Sequence, residues 1–457
     1  MNYKKLLLIA ALTLVGVMAR ADILTLDDCR ALALNHNKEL LKYDMQRRAA
    51  HLDNKAAYTN FLPKVSATGV YMHTGKELSL LSDDQKNTLS NIGTALSMPE
   101  LNVVGAGLVD ALHTDTRDIA GVAVMLTQPL YMGGKIRAYY NITKYAEQLS
   151  GFQYDTQKQD LLVRVEETYW NIVALMSKKR LAESYLNLVE TLDNDISCMV
   201  NEGFATKADA LSVKVKVNEA KMTIVTIDNG IEILKMLMCQ LCGLEITSEI
   251  TLADESIEMP TFADTPIDEQ DVNLYNSRPE LRSLLTAVNI YDEKVKVERA
   301  AFLPSVALTA GYFANYPSVF NSFEEKFKGT WFVGAVVSVP ILTWGERSYK
   351  VSAARARAQC ARYDYDDACE NVSLQVSQCR QRYVEAQEQV AVSLSSQSEA
   401  EENLKYATVG LREGVIPVIN VIEAQTAWLS ARSSLINATI DLHVANIYYR
   451  KALGLIK

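Results

Sequence analysis

The strongest hydrophobic pattern in the chain is a seven-residue repeat near its C-terminus. After the turn GVIP, Val421, Trp428, Leu435, Leu442 and Tyr449 fall seven apart, and so do Ala424, Ala431, Ala438, Ala445 and Ala452. Large residues on one seam and alanines on the next predict a long helix packed closely by neighbours, because small side chains let helix axes approach. The pattern occurs twice. At positions lower by 211, Ala210, Val217, Ile224, Ile231 and Met238 form one apolar seam, and Val213, Ala220, Ile227, Leu234 and Leu241 form the other. Flanking residues keep the offset: Glu202-Gly203 matches Glu413-Gly414, Gly134 matches Gly345, and Gly243-Leu244 matches Gly454-Leu455. One offset held over such a length is an internal duplication.

Upstream of these helices each half carries two strand patterns. Leu24 to Phe61 predicts a helix, with TLDD supplying an N-cap and early acids. It stops at Phe61-Leu62-Pro63, because proline disfavours helix in the residue before it, and KVSATGVYM follows as a strand. Phe302-Leu303-Pro304 leads into SVALTAGYF in the same way, so Pro63 and Pro304 mark equivalent junctions into strands. The second strands are GVAVMLTQPLY from Gly121 and TWFVGAVVSVPIL from Thr330, each ending near a glycine turn. Between the first two strands, His73 to Asp118 is expected to be a long polar hairpin connection. Proline-free helical patterns then run from Lys135 to Val200 and from Glu346 to Val409, each roughly 95–100 Å long at 1.5 Å per residue. Reversals follow at NEGFATKAD and REGVIPVIN, and each return helix ends at a glycine, Gly243 or Gly454.

Composition gives this architecture an address. The opening MNYKKLLLIAALTLVGVMARA has lysines, an apolar run and an A-x-A site, the form of a cleaved signal peptide. A membrane anchor is the alternative, but Leu6 to Met18 is too short to span a bilayer comfortably. Without Lys4, Lys5 and Arg20 the formal net charge moves from −9 to −12, which argues against a nucleic-acid partner. The seven cysteines are an odd number, set mostly in helical patterns, and read as structural thiols ahead of a disulfide framework. The expected segments are a signal at 1–21, a first repeat at 22–243, an acidic connector without Lys or Arg at 244–276, and a second repeat at 277–457.

Four strands of about 9–12 residues suit a tilted membrane strand but are too few to close a barrel within one chain. A bilayer admits only helices and closed barrels, so the strands must pool across subunits. The expected fold class is therefore mainly α with a membrane β-barrel: long coiled α-hairpins forming a helical barrel, and strands pooled between copies.

The duplicated FLP junctions, the two hairpins, the VGLREGV…INVIEAQ turn and the terminal ALGL resemble the TolC family of outer-membrane efflux channels. The resemblance covers essentially the whole mature chain. It implies a homotrimer whose four strands per chain form a twelve-stranded barrel in outer-membrane lipid, with the helices forming a periplasmic tunnel. The chain would then be the exit duct of a tripartite pump or a type I secretion system, with a periplasmic adaptor and an inner-membrane pump as partners. It also implies that the reversals meet the adaptor, with Gly203, Val409, Gly410, Leu411 and Gly414 as contact candidates. The alternative for the glycines is that they only permit a left-handed turn. The family's acidic constriction corresponds to Asn420 and Glu423, with Asp209 on the other hairpin. Its tyrosine–arginine lock corresponds to Leu411 and Ile416, which suggests apolar gating instead. Trp331, Tyr71, Tyr131 and Tyr312 lie near strand ends, either as interfacial girdles or as packing aromatics.

Enzyme chemistry finds no footing. The five histidines are scattered, without an H-E-x-x-H pair or a nucleophile elbow, Gly133-Gly134-Lys135 is not a phosphate loop, and no cofactor is expected. The rival reading is a periplasmic coiled-coil adaptor or scaffold without a pore. Adaptors have one hairpin flanked by small β-domains, whereas this chain has two hairpins and two apolar strand pairs.

Overall fold

The first helix starts where a side chain can satisfy its orphan amides. Thr25 Oγ1 accepts from Asp28 N at 3.2 Å and Asp28 Oδ2 accepts from Thr25 N at 3.1 Å, a reciprocal capping box. In this computed structural model, which describes residues 23–75, 81–111, 117–257, 277–318 and 326–456, β1 (Ile23–Leu24) precedes that cap and α1 (Leu26–His36) follows it. The expected signal peptide and residues 258–276 of the connector lie outside the described residues.

The single helix expected from Leu24 to Phe61 is two helices. Asn37 is extended, at φ −65° and ψ 119°, and its side chain does the work of a break. Its Oδ1 accepts from Glu39 N at 3.0 Å and Leu40 N at 3.1 Å, capping α2 (Lys38–Tyr58), while its Nδ2 donates to Leu241 O at 3.0 Å. A short 3₁₀ turn, Thr59–Phe61, then brings the chain to Pro63.

The strand region divides from the rest as its own compact unit, His51–Ala146 with Val288–Cys360. Here β2 (Lys64–His73), α3 (Asp83–Ser90), α4 (Ile92–Ala95), α5 (Leu101–Ala111) and β3 (Asp118–Met132) come from the first half. The connection expected to be a polar hairpin is thus helical where described, and α5, LNVVGAGLVDA, is its apolar member. Asn102 explains part of the compaction, since its Oδ1 accepts from Thr94 N at 3.1 Å and its Nδ2 donates to Thr94 Oγ1 at 2.8 Å.

The other unit holds residues up to Ala50, Glu147–Ala287 and Ala361 onward. The long helix α6 (Lys135–Asn201) turns back as α7 (Lys207–Cys242), which leads to β4 (Thr251–Leu252) in the connector. The second half supplies α8 (Pro279–Ala300), β5 (Ser305–Tyr316), β6 (Lys328–Ser338), α9 (Glu346–Arg412) and α10 (Val418–Ala452). Both α6 and α9 have 67 residues and begin 211 apart. Every position of the two heptad seams in α7 and α10 is buried or half-buried.

The connector's acids find cations on the helices. Lys235 reaches Glu255 at 2.9 Å, Tyr169 donates to Asp254 at 2.7 Å, and the Arg180 guanidinium donates to the carbonyls of Glu255 and Ile257. The Asp254 carboxylate and burial together push the Tyr169 phenol far above its usual range. Two of the connector's residues also pair as strand, Thr251 and Leu252 of β4 running parallel to β1. From α1, Arg30 donates to Glu166, which also faces His443 Nε2 at 3.3 Å. Burial opposes the charge on Glu166, yet these two donors outweigh it and hold the carboxyl below its usual range. Its stabilising charge is therefore present at neutral pH and lost as pH falls through that lowered value.

Asn37→Ala should lower folding stability by about 1–2 kcal/mol through the lost cap. Asn37→Asp, which keeps the acceptor but not the donor to Leu241, should recover part of that. Shifts in the denaturation midpoint of detergent-solubilised protein would read both.

Candidate functional site

The two helix reversals are built from the same backbone motif. Gly203 has φ +81° and Gly414 φ +69°, the left-handed region that a Cβ disfavours. Gly203 N donates to Val200 O at 3.2 Å and Phe204 N to Met199 O at 2.8 Å. Correspondingly, Gly414 N donates to Leu411 O at 3.0 Å and Val415 N to Gly410 O at 2.8 Å. These paired 5→2 and 6→1 bonds are Schellman motifs, which satisfy the orphan carbonyls at each helix end. The return helix α7 restarts with a second capping box, Thr206 N to Asp209 Oδ2 at 2.9 Å and Asp209 N to Thr206 Oγ1 at 3.2 Å. Its equivalent α10 restarts on Pro417, without a side-chain cap.

One apolar cluster lies beneath both reversals. Leu192, Ile196 and Val213 of the first hairpin pack with Ala407, Leu411, Val418, Val421 and Ile422 of the second. The candidate residues therefore separate by environment. Leu411 is buried in this shared core, and Ile416 is half-buried, lying where a Cβ on Gly410 would meet its Cγ1 at 3.1 Å. Asn420 and Glu423, one turn apart on α10, are exposed, and so is Val409. The Asp209 carboxylate is engaged by the Thr206 hydroxyl and backbone N–H, which hold it below the usual range. Two exposed residues escaped the sequence reading: Phe204, 81% exposed, and Val415, 77% exposed, which follow the two glycines at the same offset of 211. The signal was there, since an apolar residue directly after each left-handed glycine stands out at the tip of a polar turn.

The second functional surface is the sheet, antiparallel and ordered β2-β3-β5-β6. Its register assigns the faces. Val65, Ala67, Gly69 and Tyr71 share a face with Val122, Val124 and Leu126, with Ala310 and Tyr312, and with Trp331, Val333 and Val337. The other face carries Lys64, Ser66, Thr68, Thr127, Thr309, Asn315, Lys328 and Thr330 among small and apolar residues. A shift between Pro129 and Tyr131 puts Tyr131 beside Val306, on the apolar face. All four expected aromatics, Tyr71, Tyr131, Tyr312 and Trp331, therefore lie on that face, and each is exposed. Tyr71 and Tyr316 flank Ala120 at one end, and Tyr131 stands at the other. Val306 and Tyr316 are ten residues apart on β5, about 34 Å of strand. At a tilt of about 40° that is about 26 Å of depth, against a barrel's apolar band of about 25 Å. The face ends in polar groups, with Tyr71 O–H donating to Asp118 Oδ1 at 2.9 Å and His73 Nδ1 at 2.7 Å from the same oxygen. Among the described residues no helix is long and apolar enough to cross a membrane, and no group of side chains is placed to hold a metal ion.

One chain thus carries both a four-stranded sheet with an apolar face and two open edges and a pair of long helical hairpins. The chain belongs to the outer membrane efflux protein family, whose profile matches residues 30–232 and 272–455. It is similar to the alkaline protease secretion protein AprF of Pseudomonas aeruginosa, 25% identical over 69% of this chain and 66% of that protein. It is also similar to the cation efflux system protein CusC of Escherichia coli K12, 22% identical over 39% of this chain and 38% of CusC. The matches thus span less than two thirds of either relative's length. Among solved structures, the outer membrane protein VceC from Vibrio cholerae superposes with a TM-score of 0.75 over 94% of this chain and 96% of VceC, at 16% identity. The fold expected from the sequence, helical barrel elements with a few membrane strands, is the fold of these neighbours.

Gly203→Ala and Gly414→Ala test the turn reading, because no neighbour lies within 4 Å of a Cβ at either site, so only backbone strain is added. Each should destabilise by about 1–2 kcal/mol, read as a lowered melting temperature.

Proposed function

We propose that the protein is an outer-membrane exit duct, a passive conduit through which an efflux pump or a type I secretion system exports its substrate. The observation that carries this reading is the one-faced apolar sheet with aromatic ends. It needs lipid on that face, and in lipid the outer edges of β2 and β6 must find partners. Pairing β6 of one copy with β2 of the next closes a barrel, and three copies supply the twelve strands of the resembled family. A scaffold without a pore has no use for such a face.

Electron-microscope imaging of detergent-extracted outer membranes is the direct test. Threefold particles with a short barrel and a helical stalk are expected; compact monomers, or protein confined to the soluble periplasmic fraction, would sink the reading. The face assignment has its own test. Val333→Arg, on the apolar face, should cost about 2–4 kcal/mol of insertion and deplete the protein from the outer membrane. Thr309→Arg, on the opposite face, should be inserted normally and alter ion selectivity in planar-bilayer recordings.

In the helical unit, the paired reversals are the proposed docking site for a periplasmic adaptor, with Gly203, Gly410 and Gly414 shaping the turns and Phe204, Val409 and Val415 offering apolar contact. Phe204→Asp and Val415→Asp should each weaken binding of the cognate adaptor by about tenfold or more. Trimer assembly should be unchanged, because neither side chain supports the core beneath. Unaltered adaptor affinity in both variants would move the contact elsewhere. Asn420 and Glu423, triplicated around an axis, are the proposed lining of the throat, favouring cations over anions. Leu411 and Ile416 act there through the packing that holds the tips together, so Leu411→Ser should raise closed-state leak by loosening that core. Cargo is set upstream, by the pump: the relatives' names already range from protease secretion to cation efflux.

A further inference from the structure

Two cysteines from opposite ends of the first repeat meet in its core. Cys29 of α1 and Cys242 of the last turn of α7 are 213 residues apart in sequence, and the Cys242 sulfur lies 3.6 Å from the Cys29 carbonyl oxygen. Both are fully buried free thiols, among Tyr169, Met238 and Leu241, and the Cys242 sulfur also lies 3.7 Å from Met238 Sδ. The backbone around them is fixed in place. Asn37 Nδ2 holds Leu241 O, and a Cβ on Gly243 would come within 2.5 Å of His36 O, so α1 cannot slide along α7. The third nearby thiol, Cys239, points its sulfur to Ser248 O at 3.6 Å instead. Nothing in the conduit or docking roles uses this pair.

We propose that Cys29 and Cys242 are joined by a disulfide in the mature protein, a covalent staple between the N-terminal segment and the end of the first return helix. This inference rests on the export of the chain argued above, because the periplasm keeps such bonds whereas the cytoplasm reduces them. The oxidant is a disulfide-carrying donor protein of that compartment. The Cys29 thiolate attacks one donor sulfur, forming a mixed disulfide and releasing one donor thiolate. The Cys242 thiolate then attacks the Cys29 sulfur, forming the Cys29–Cys242 bond and releasing the second donor thiolate. Two protons and two electrons leave the chain, and the donor departs as a dithiol. Because neither sulfur is solvent-accessible once α1 has docked, exchange precedes docking, and the finished bond is shielded from reductant. The closed loop is long, which favours a large restriction of the unfolded chain.

The test is differential alkylation of the full chain taken from outer membranes. Denatured without reductant and treated with iodoacetamide, Cys29 and Cys242 should remain unmodified and appear as one linked peptide pair, released by reductant. The pair should survive Cys239→Ser and vanish in Cys242→Ser. In addition, Cys29→Ser, Cys242→Ser and the double variant should lower the melting temperature by the same amount, a difference abolished when wild type is reduced. Full alkylation of both thiols in membrane-inserted protein would overturn the staple and leave the exit duct standing. A pair linked through Cys239 would equally overturn it. Protein retained in the cytoplasm with its leader uncut would remove the export reading and the staple together.

Discussion

Unpaired backbone groups in lipid govern this molecule. Within the chain the sheet stops at β2 on one side and β6 on the other, leaving two rows of N–H and C=O groups open. In water such edges are tolerable; beside hydrocarbon each unsatisfied group costs several kcal/mol. On the proposed exit-duct reading the apolar face places the edges in hydrocarbon, so the sheet would have to close through further copies of the chain. Everything else follows from how many strands each copy brings. A second hairpin, obtained by duplication, halves the number of subunits needed for a given circumference. Each hairpin also delivers a long helix, α6 directly after β3 and α9 shortly after β6. Barrel and helices are therefore counted by the same number.

Duplication also shows which local features are required and which are tolerated. The left-handed glycines recur at 203 and 414 and at 243 and 454, all with positive φ, because a Schellman end needs that geometry whatever surrounds it. Gly133 and Trp344 are the exception at the same offset. A Cβ on Gly133 would stand 2.6 Å from Ala300 O and 2.9 Å from Leu303 Cβ, so crowding forbids a side chain there. Trp344 adopts φ +48° but is 87% exposed, and it bears the strain without a clash. Crowding separates the two copies where backbone geometry does not.

Much of the fold was legible because it is periodic or punctuated. The heptad seams, the FLP junctions, the paired reversals and the strand segments all repeat, and repetition lifts weak local signals above chance. What escaped depends on partners distant in sequence. The break at Asn37 is fixed by Leu241, and no run of residues around HNHNKEL announces it. Strand faces could not be assigned from sequence because small and apolar residues also stand between the polar ones on the second face of β3 and β5. Only the register, pairing Tyr312 with Trp331 and Tyr131 with Val306, separates them. The helical insert was read as polar because α3, DDQKNTLS, dominates its composition, while α5 is apolar. At the tips, Leu411, which the resemblance makes a throat candidate, shares an apolar cluster with Leu192, Ile196 and Val213 of the neighbouring hairpin. Its one-dimensional neighbours give no hint of that.

The tip shows why burial and exposure must be separated before a role is assigned. A reversal that only turned the chain would expose polar residues and bury apolar ones. Here the buried set, Leu411 with Val418, Val421 and Ile422, already suffices to join the two hairpins. Phe204 and Val415 add nothing to that core, yet both copies place an apolar residue at this most solvent-facing position. Leaving two such side chains in water costs the folded chain stability that a polar residue would not. That cost is offset only if something apolar covers them, and the proposed trimer would carry six of these residues. The core beneath holds the tips in register, and the exposed pair gives that end a surface for a partner.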